Sequence, residues 1–226
     1  MTRICLVLAA LASPAALAGL PPHIRVTYEI TVKGMSGSAV ETLDHDGKTY
    51  SIVSETKGRG FLTAFGVLNK RTSRGTITAE GLRPEEYRDE RPFGWVASAK
   101  FDWNARTITQ ERKGKSETLK MPVGAQDPLS LAYTFAFVPP KGKEYDIIRA
   151  DGRGLTPFRF TVVGNEKIAT PLGEMETLHI EKVRDGPDDK ATDIWFATGR
   201  DFIPVRVLVV DKDGERADQI VTRIEN

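Results

Sequence analysis

Cysteine is what this 226-residue chain has least of: a single one, Cys5. One thiol forms no internal disulfide and no cysteine-rich zinc centre. Charge of one sign is also lacking, since 32 Lys+Arg stand against 31 Asp+Glu for a net +1. Without a basic surplus there is no field to gather a nucleic acid, and none is expected as partner. The three histidines, His23, His45 and His179, fall in no H-x-H or H-x-x-x-H spacing that sets two imidazoles on one face, so no metal site is expected. The G-x-S-x-G elbow, the G-x-x-x-x-G-K-[ST] phosphate loop and G-x-G-x-x-G after a strand are all missing, which excludes the reactions that need those geometries. Gly58-Arg59-Gly60 and Gly152-Arg153-Gly154 carry half a glycine fingerprint each and read as loops. No cofactor and no catalysis are expected. Nor does any apolar run reach the ~20 residues that a membrane-crossing helix requires.

What is present begins with a leader. Arg3, the apolar run Ile4 to Leu11, Ser13-Pro14 and the small-x-small Ala16-Leu17-Ala18 read as a secretory signal peptide over residues 1–18, cleaved after Ala18. Cys5 leaves with it, so the mature chain from Gly19 holds no cysteine, which suits an oxidising periplasm, the expected location. Residues 19–226 suffice to bury roughly 70% of the unfolded chain's surface. Val138-Pro139-Pro140-Lys141-Gly142-Lys143 is too short for a flexible interdomain linker, so one antiparallel β domain is expected.

Alternation supplies the fold class. Ile24, Val26, Tyr28, Ile30 and Val32 alternate with polar residues, as do Tyr50 to Thr56, Trp95 to Trp103, Phe158 to Val162 and Val205 to Val209. These runs end at Asp46-Gly47, Glu80-Gly81, Asn104-Ala105, Lys113-Gly114, Asp151-Gly152 and Asp213-Gly214, pairs suited to tight hairpins. About a dozen strands at hairpin spacing cannot lie flat, so the sheet must curl into a half-barrel, barrel or sandwich. One helix interrupts them: Asp127 caps it, Pro128 takes its first position, and the apolar run to Phe137 is stopped before Pro139-Pro140. Apolar nearly all round, it is expected to be buried on the concave face, with a strand as the alternative. Phe61 to Leu68 is a second apolar patch, read as a short helix, a strand or a flap.

Chemistry-bearing residues are sparse. Asp44-x-Asp46-Gly47 and Asp211-x-Asp213-Gly214 open like calcium loops, but the later ligands are out of register and both read as turns. His179 alternates with Leu178 and Ile180 and reads as a solvent-facing or hydrogen-bonded sheet histidine, ahead of a catalytic base. If the curled sheet encloses an apolar ligand, the candidate lining residues are Phe61, Leu62, Phe65, Trp95, Trp103, Tyr133, Phe137 and Trp195, though Trp195 reads first as a core or sheet-face aromatic. Arg206 would anchor an anionic head group if its face is concave, and is a solvated charge if convex.

Gly81-Leu82-Arg83-Pro84, Gln126-Asp127-Pro128-Leu129-Ser130 with Tyr133, Thr170-Pro171-Leu172-Gly173-Glu174, and Asp193 to Ala197 followed by Pro204-Val205-Arg206 together resemble the exported bacterial family of unknown function numbered 3108. The resemblance implies an all-β periplasmic protein of Gram-negative bacteria and brings no catalytic residues. Three functions compete. The first is a non-catalytic carrier for an apolar or amphipathic envelope molecule, such as a lipid, similar in overall recipe to periplasmic lipoprotein carriers. The second is an assembly protein that meets another envelope protein through a sheet edge. The third is an enzyme acting on glycans or lipids with scattered carboxylates.

Overall fold

A computed structural model describes residues 20–60 and 66–226. The leader, its cleavage point, Cys5, Phe61, Leu62 and Phe65 lie outside the described residues. Fifteen strands form one sheet: β1 His23–Val32, β2 Met35–His45, β3 Thr49–Gly58, β4 Val67–Thr78, β5 Gly81–Arg91, β6 Trp95–Asp102, β7 Thr107–Arg112, β8 Lys115–Lys120, β9 Ala125–Gln126, β10 Glu144–Ala150, β11 Leu155–Thr170, β12 Gly173–Lys182, β13 Ala191–Ala197, β14 Ile203–Val210 and β15 Arg216–Glu225. Their order is β8 through β1, then β15 back through β9. It is thus two meanders joined where β1 pairs with β15, antiparallel throughout save for the two-residue β9 beside β10. β8 and β9 share no ladder, so the sheet curls without closing into a barrel.

Each of the six expected turn pairs joins consecutive strands. At Lys113-Gly114 both residues take positive φ, 52° and 72°, the primed geometry whose twist matches the flanking strands. Asp46 fixes its hairpin by accepting the amides of Lys48 and Thr49 at 2.8 and 2.7 Å. Asp211 does the same for Asp213 and Glu215, both at 3.0 Å, so the two calcium-like openings are turns. Lys33-Gly34, with φ of 51° and 75°, is a further tight turn, between β1 and β2.

The helix α1, Pro128–Phe137, forms where the Asp127-Pro128 signal places it. Leu129 and Tyr133, one turn apart, pack among residues of β1 to β7, including Tyr28, Tyr50 and Ile108. Leu131 and Phe135, on another side, pack with Ile147, Phe160, Ile180, Ile194 and Phe196. The helix is a wedge between two halves of the curled sheet, which accounts for its all-round apolar sequence. A Cβ at Gly81 would press on the Thr134 hydroxyl, which accepts the Leu82 amide at 3.3 Å, and Gly81 holds a φ of +114° that favours glycine.

The tip of the β10–β11 hairpin makes the remaining cross-connection. Gly152 lies against the backbone of β6, where a Cβ would meet Ser98 N at 2.5 Å, and the Gly154 amide donates to Gln110 Oε1 at 3.0 Å on β7. Among the described residues no helix is long and apolar enough to cross a membrane.

Candidate functional site

Beside the first turns of α1 the concave face leaves a cavity of about 820 Å³, within the range of small-molecule sites. Alternation along the strands sets its wall: Phe158 and Phe160 on β11, Ile194 on β13, and Val207 and Val209 on β14. Ile194 pairs with Val207, and Phe160 with Lys182, so the wall is one continuous lattice. Leu131 and Ala132 of α1 face it. Phe158, Ala132, Val207 and Val209 are only half-buried, so apolar surface is left uncovered inside the molecule.

Polar groups occupy the other side. Glu41, 7% exposed, accepts Tyr133 OH at 2.8 Å and Ser54 Oγ at 3.1 Å. Burial pushes its pKa up, against the hydrogen bond from Tyr133 and the field of Arg71. Tyr28 continues the chain, 3.4 Å from the Tyr133 oxygen and donating to Pro204 O at 2.8 Å. Asp151 is buried and receives Arg153 Nε at 3.1 Å and Nη2 at 2.5 Å, with Arg149 Nη2 farther away at 3.5 Å. Arg149 lies 4.6 Å from the Phe158 ring centre and Lys182 Nζ 4.9 Å from it, while Lys182 is paired to Asp189 at 2.5 Å.

Beneath the cavity, the helix start is anchored by the buried Asp127. Its Oδ1 accepts the amides of Leu129 and Ser130 at 2.8 and 3.0 Å, and its Oδ2 accepts Ser73 Oγ at 2.6 Å. Ser130 Oγ accepts the Asp127 amide at 2.9 Å, completing a capping box. Burial raises the Asp127 pKa to about 6 despite these donors.

Of the candidates named from sequence, Phe61, Leu62 and Phe65 lie outside the described residues, and none of the others lines this cavity. Trp95 lies 4.2 Å beneath the Arg91 guanidinium on β6, and Trp103 donates to Pro84 O at 2.7 Å under Arg83. Phe137 meets the His45 ring edge-on at 5.1 Å. Tyr133 is buried behind the cavity and supports it through Glu41. Trp195 pairs with Arg206, so both point away from the face that carries Ile194 and Val207. There Trp195 is stacked on His179 at 4.4 Å and lies 5.1 Å from Arg206. His179 is hydrogen-bonded to Asp193 at 2.9 Å and close to Glu166 at 3.0 Å. Arg206, on that same face, donates Nε and Nη2 to the two carboxylate oxygens of Asp218, at 3.0 and 2.6 Å.

Sequence reasoning missed Arg71, Arg149 and Phe158. Phe158 was visible as part of an alternating run, but nothing local showed which face would be concave.

A solved structure with a similar fold is a β-barrel-like protein of the unknown-function family DUF1849 from Brucella abortus: TM-score 0.59, 13% identity, 91% of this chain and 98% of that one covered. A candidate lipoprotein from Parabacteroides distasonis aligns at TM-score 0.42, 8% identity, covering 92% and 97% of the two chains. A candidate outer-membrane lipoprotein-sorting domain from Vibrio parahaemolyticus aligns at TM-score 0.28, 8% identity, covering 90% and 84%. Comparison with curated proteins finds no match. The profile of the protein family of unknown function DUF3108 matches residues 24–220, and the chain belongs to that family.

Proposed function

We propose that the protein is an exported, non-catalytic carrier of the bacterial cell envelope that holds an apolar or amphipathic molecule in the cavity beside α1. The observation that carries this reading is the half-buried apolar wall of Phe158, Val207 and Val209 inside a cavity of about 820 Å³. Apolar surface of this kind gains free energy when a ligand covers it, at about 25 cal/mol per Å². The leader-like residues 1–18 favour export.

Assembly through a sheet edge is favoured less by this architecture. β8 is an edge of six exposed or half-exposed residues including Lys115, Glu117 and Lys120, and β9 at the other edge offers two residues. Charged and short edges discourage strand addition.

Uptake of an environment-sensitive apolar dye tests the carrier reading. Wild type should bind it, and Val209→Arg should weaken uptake at least about tenfold at nearly unchanged melting temperature, because a charge enters a half-buried apolar wall. Absence of dye uptake by wild type, together with no lipid co-purifying from the native host, removes the carrier reading and leaves assembly as the better one.

A further inference from the structure

Of the five cations that line the cavity, the half-buried Arg71 and Arg149 beside the apolar wall are incompletely neutralised, whereas Lys190 is exposed to solvent. Arg149 Nε is buried with no hydrogen-bond partner. Its nearest carboxylate, Asp151, is committed to Arg153, whose Nη2 lies at 2.5 Å, whereas Arg149 Nη2 lies at 3.5 Å. Arg71, also on the cavity lining, donates Nε to the neutral Asn69 at 3.2 Å. Among the described residues it has no carboxylate at ion-pair distance, and its field and that of Arg153 both act against the charge on Arg149. Converging guanidinium groups repel one another unless an anion lies between them. The other nearby carboxylates are already held, Glu41 by Tyr133 and Ser54, and Asp89, opposite Arg71 in the β4–β5 ladder, by Arg91 at 2.9 Å. At the opposite rim Lys182 is satisfied by both oxygens of Asp189 and Lys190 is exposed to solvent, so the half-buried imbalance lies at the end with Arg71 and Arg149.

Resting on the carrier reading above, we propose that the ligand is an anionic amphiphile: an alkyl chain bearing a phosphate or carboxylate. Its head lies against Arg71 and Arg149, and its chain follows Phe158, Phe160, Ile194 and Val207. Phe158 joins the two halves, since the Arg149 guanidinium lies against its ring while the ring continues the apolar wall. Guanidinium groups suit such heads because their planar forks meet two oxygens at once.

Titration calorimetry with three ligands of equal chain length, each below its micellar concentration, tests the assignment: dodecyl phosphate, dodecanoate and dodecanol. The two anions should bind wild type about 10- to 100-fold more tightly than the alcohol, the factor for charge-assisted hydrogen bonds. Arg71→Gln and Arg149→Gln should remove most of that advantage while leaving dodecanol affinity unchanged, and Arg149→Lys should keep part of it. Should the glutamine variants not fold, the comparison of the three ligands on wild type still decides. Dodecanol binding as tightly as the anions overturns the head-group assignment and leaves the carrier reading intact. Inorganic phosphate binding as tightly as dodecyl phosphate overturns the amphiphile in favour of a free anion. If none of the three chains binds and the apolar dye is not taken up either, the carrier reading itself fails and this inference with it.

Discussion

At the scale of single residues, Asp127 shows how a local signal acquires a long-range consequence. Its pKa of about 6 lies above the ordinary aspartate value of 3.8 because burial disfavours the carboxylate. A carboxyl group raised in this way favours the folded state below its unfolded pKa, and that contribution is lost as pH rises through about 6. Asp127→Asn keeps an acceptor for the two helix amides and places a donor next to Ser73. The stability of wild type relative to this variant should therefore fall by on the order of 3 kcal/mol between pH 4 and pH 7, read by urea unfolding. A difference that stays flat with pH would show that Asp127 is ionised in both states. Asp127→Ala loses the cap at every pH and should cost about 1–2 kcal/mol. The cap was legible because its partners lie within three residues. The Glu41–Tyr133 hydrogen bond was not, because its partners are 92 positions apart and nothing in either neighbourhood points to the other. Tyr133→Phe leaves a buried carboxylate oxygen short of its donor and should destabilise by about 1–3 kcal/mol, measured the same way.

At the scale of elements, turns and helix were the readable parts. Asp-Gly and Lys-Gly pairs encode backbone angles that only a few residues tolerate, so each marked a strand junction without help from tertiary structure. Burial direction was harder: β13 is buried on both faces at Ile194, Trp195 and Phe196, so alternation alone could not place Trp195. A bulge between Trp195 and Phe196 shifts the register with β14, which also hid the face of Arg206. The β10–β11 hairpin carries the sharpest prediction at this scale. Gly152→Ala brings a Cβ onto the backbone of Ser98 and strains a φ of +78°. It should destabilise by more than ~1 kcal/mol and lower the melting temperature by several degrees, whereas Gly154→Ala, with open space at its Cβ, meets strain of conformation alone and should cost less.

At the scale of the whole molecule, a curled sheet of fifteen strands was expected in outline, with about a dozen strands counted and the question of closure left open. Closure was illegible because it depends on whether β8 and β9 meet, and four residues between them, Met121 to Gly124, set that distance rather than any pattern in the strands. Besides α1, what bridges the open edge is the hairpin tip resting on β6 and β7, through a few point contacts in place of a ladder. In mechanical terms the sheet is a split hoop, stiff along its ladders and compliant across one gap. Residues Asp151 to Gly154 lie beyond the last β10–β11 pair, Ala150 with Leu155, so lifting the tip breaks no strand pair. Amide exchange should accordingly be fast at Gly154, held by a single side-chain acceptor, and slow in the β1–β15 ladder. A ligand bridging Arg71 on β4 to Arg149 on β10 would act as a clasp across that gap, and should slow exchange at Gly154 well before it alters the ladders.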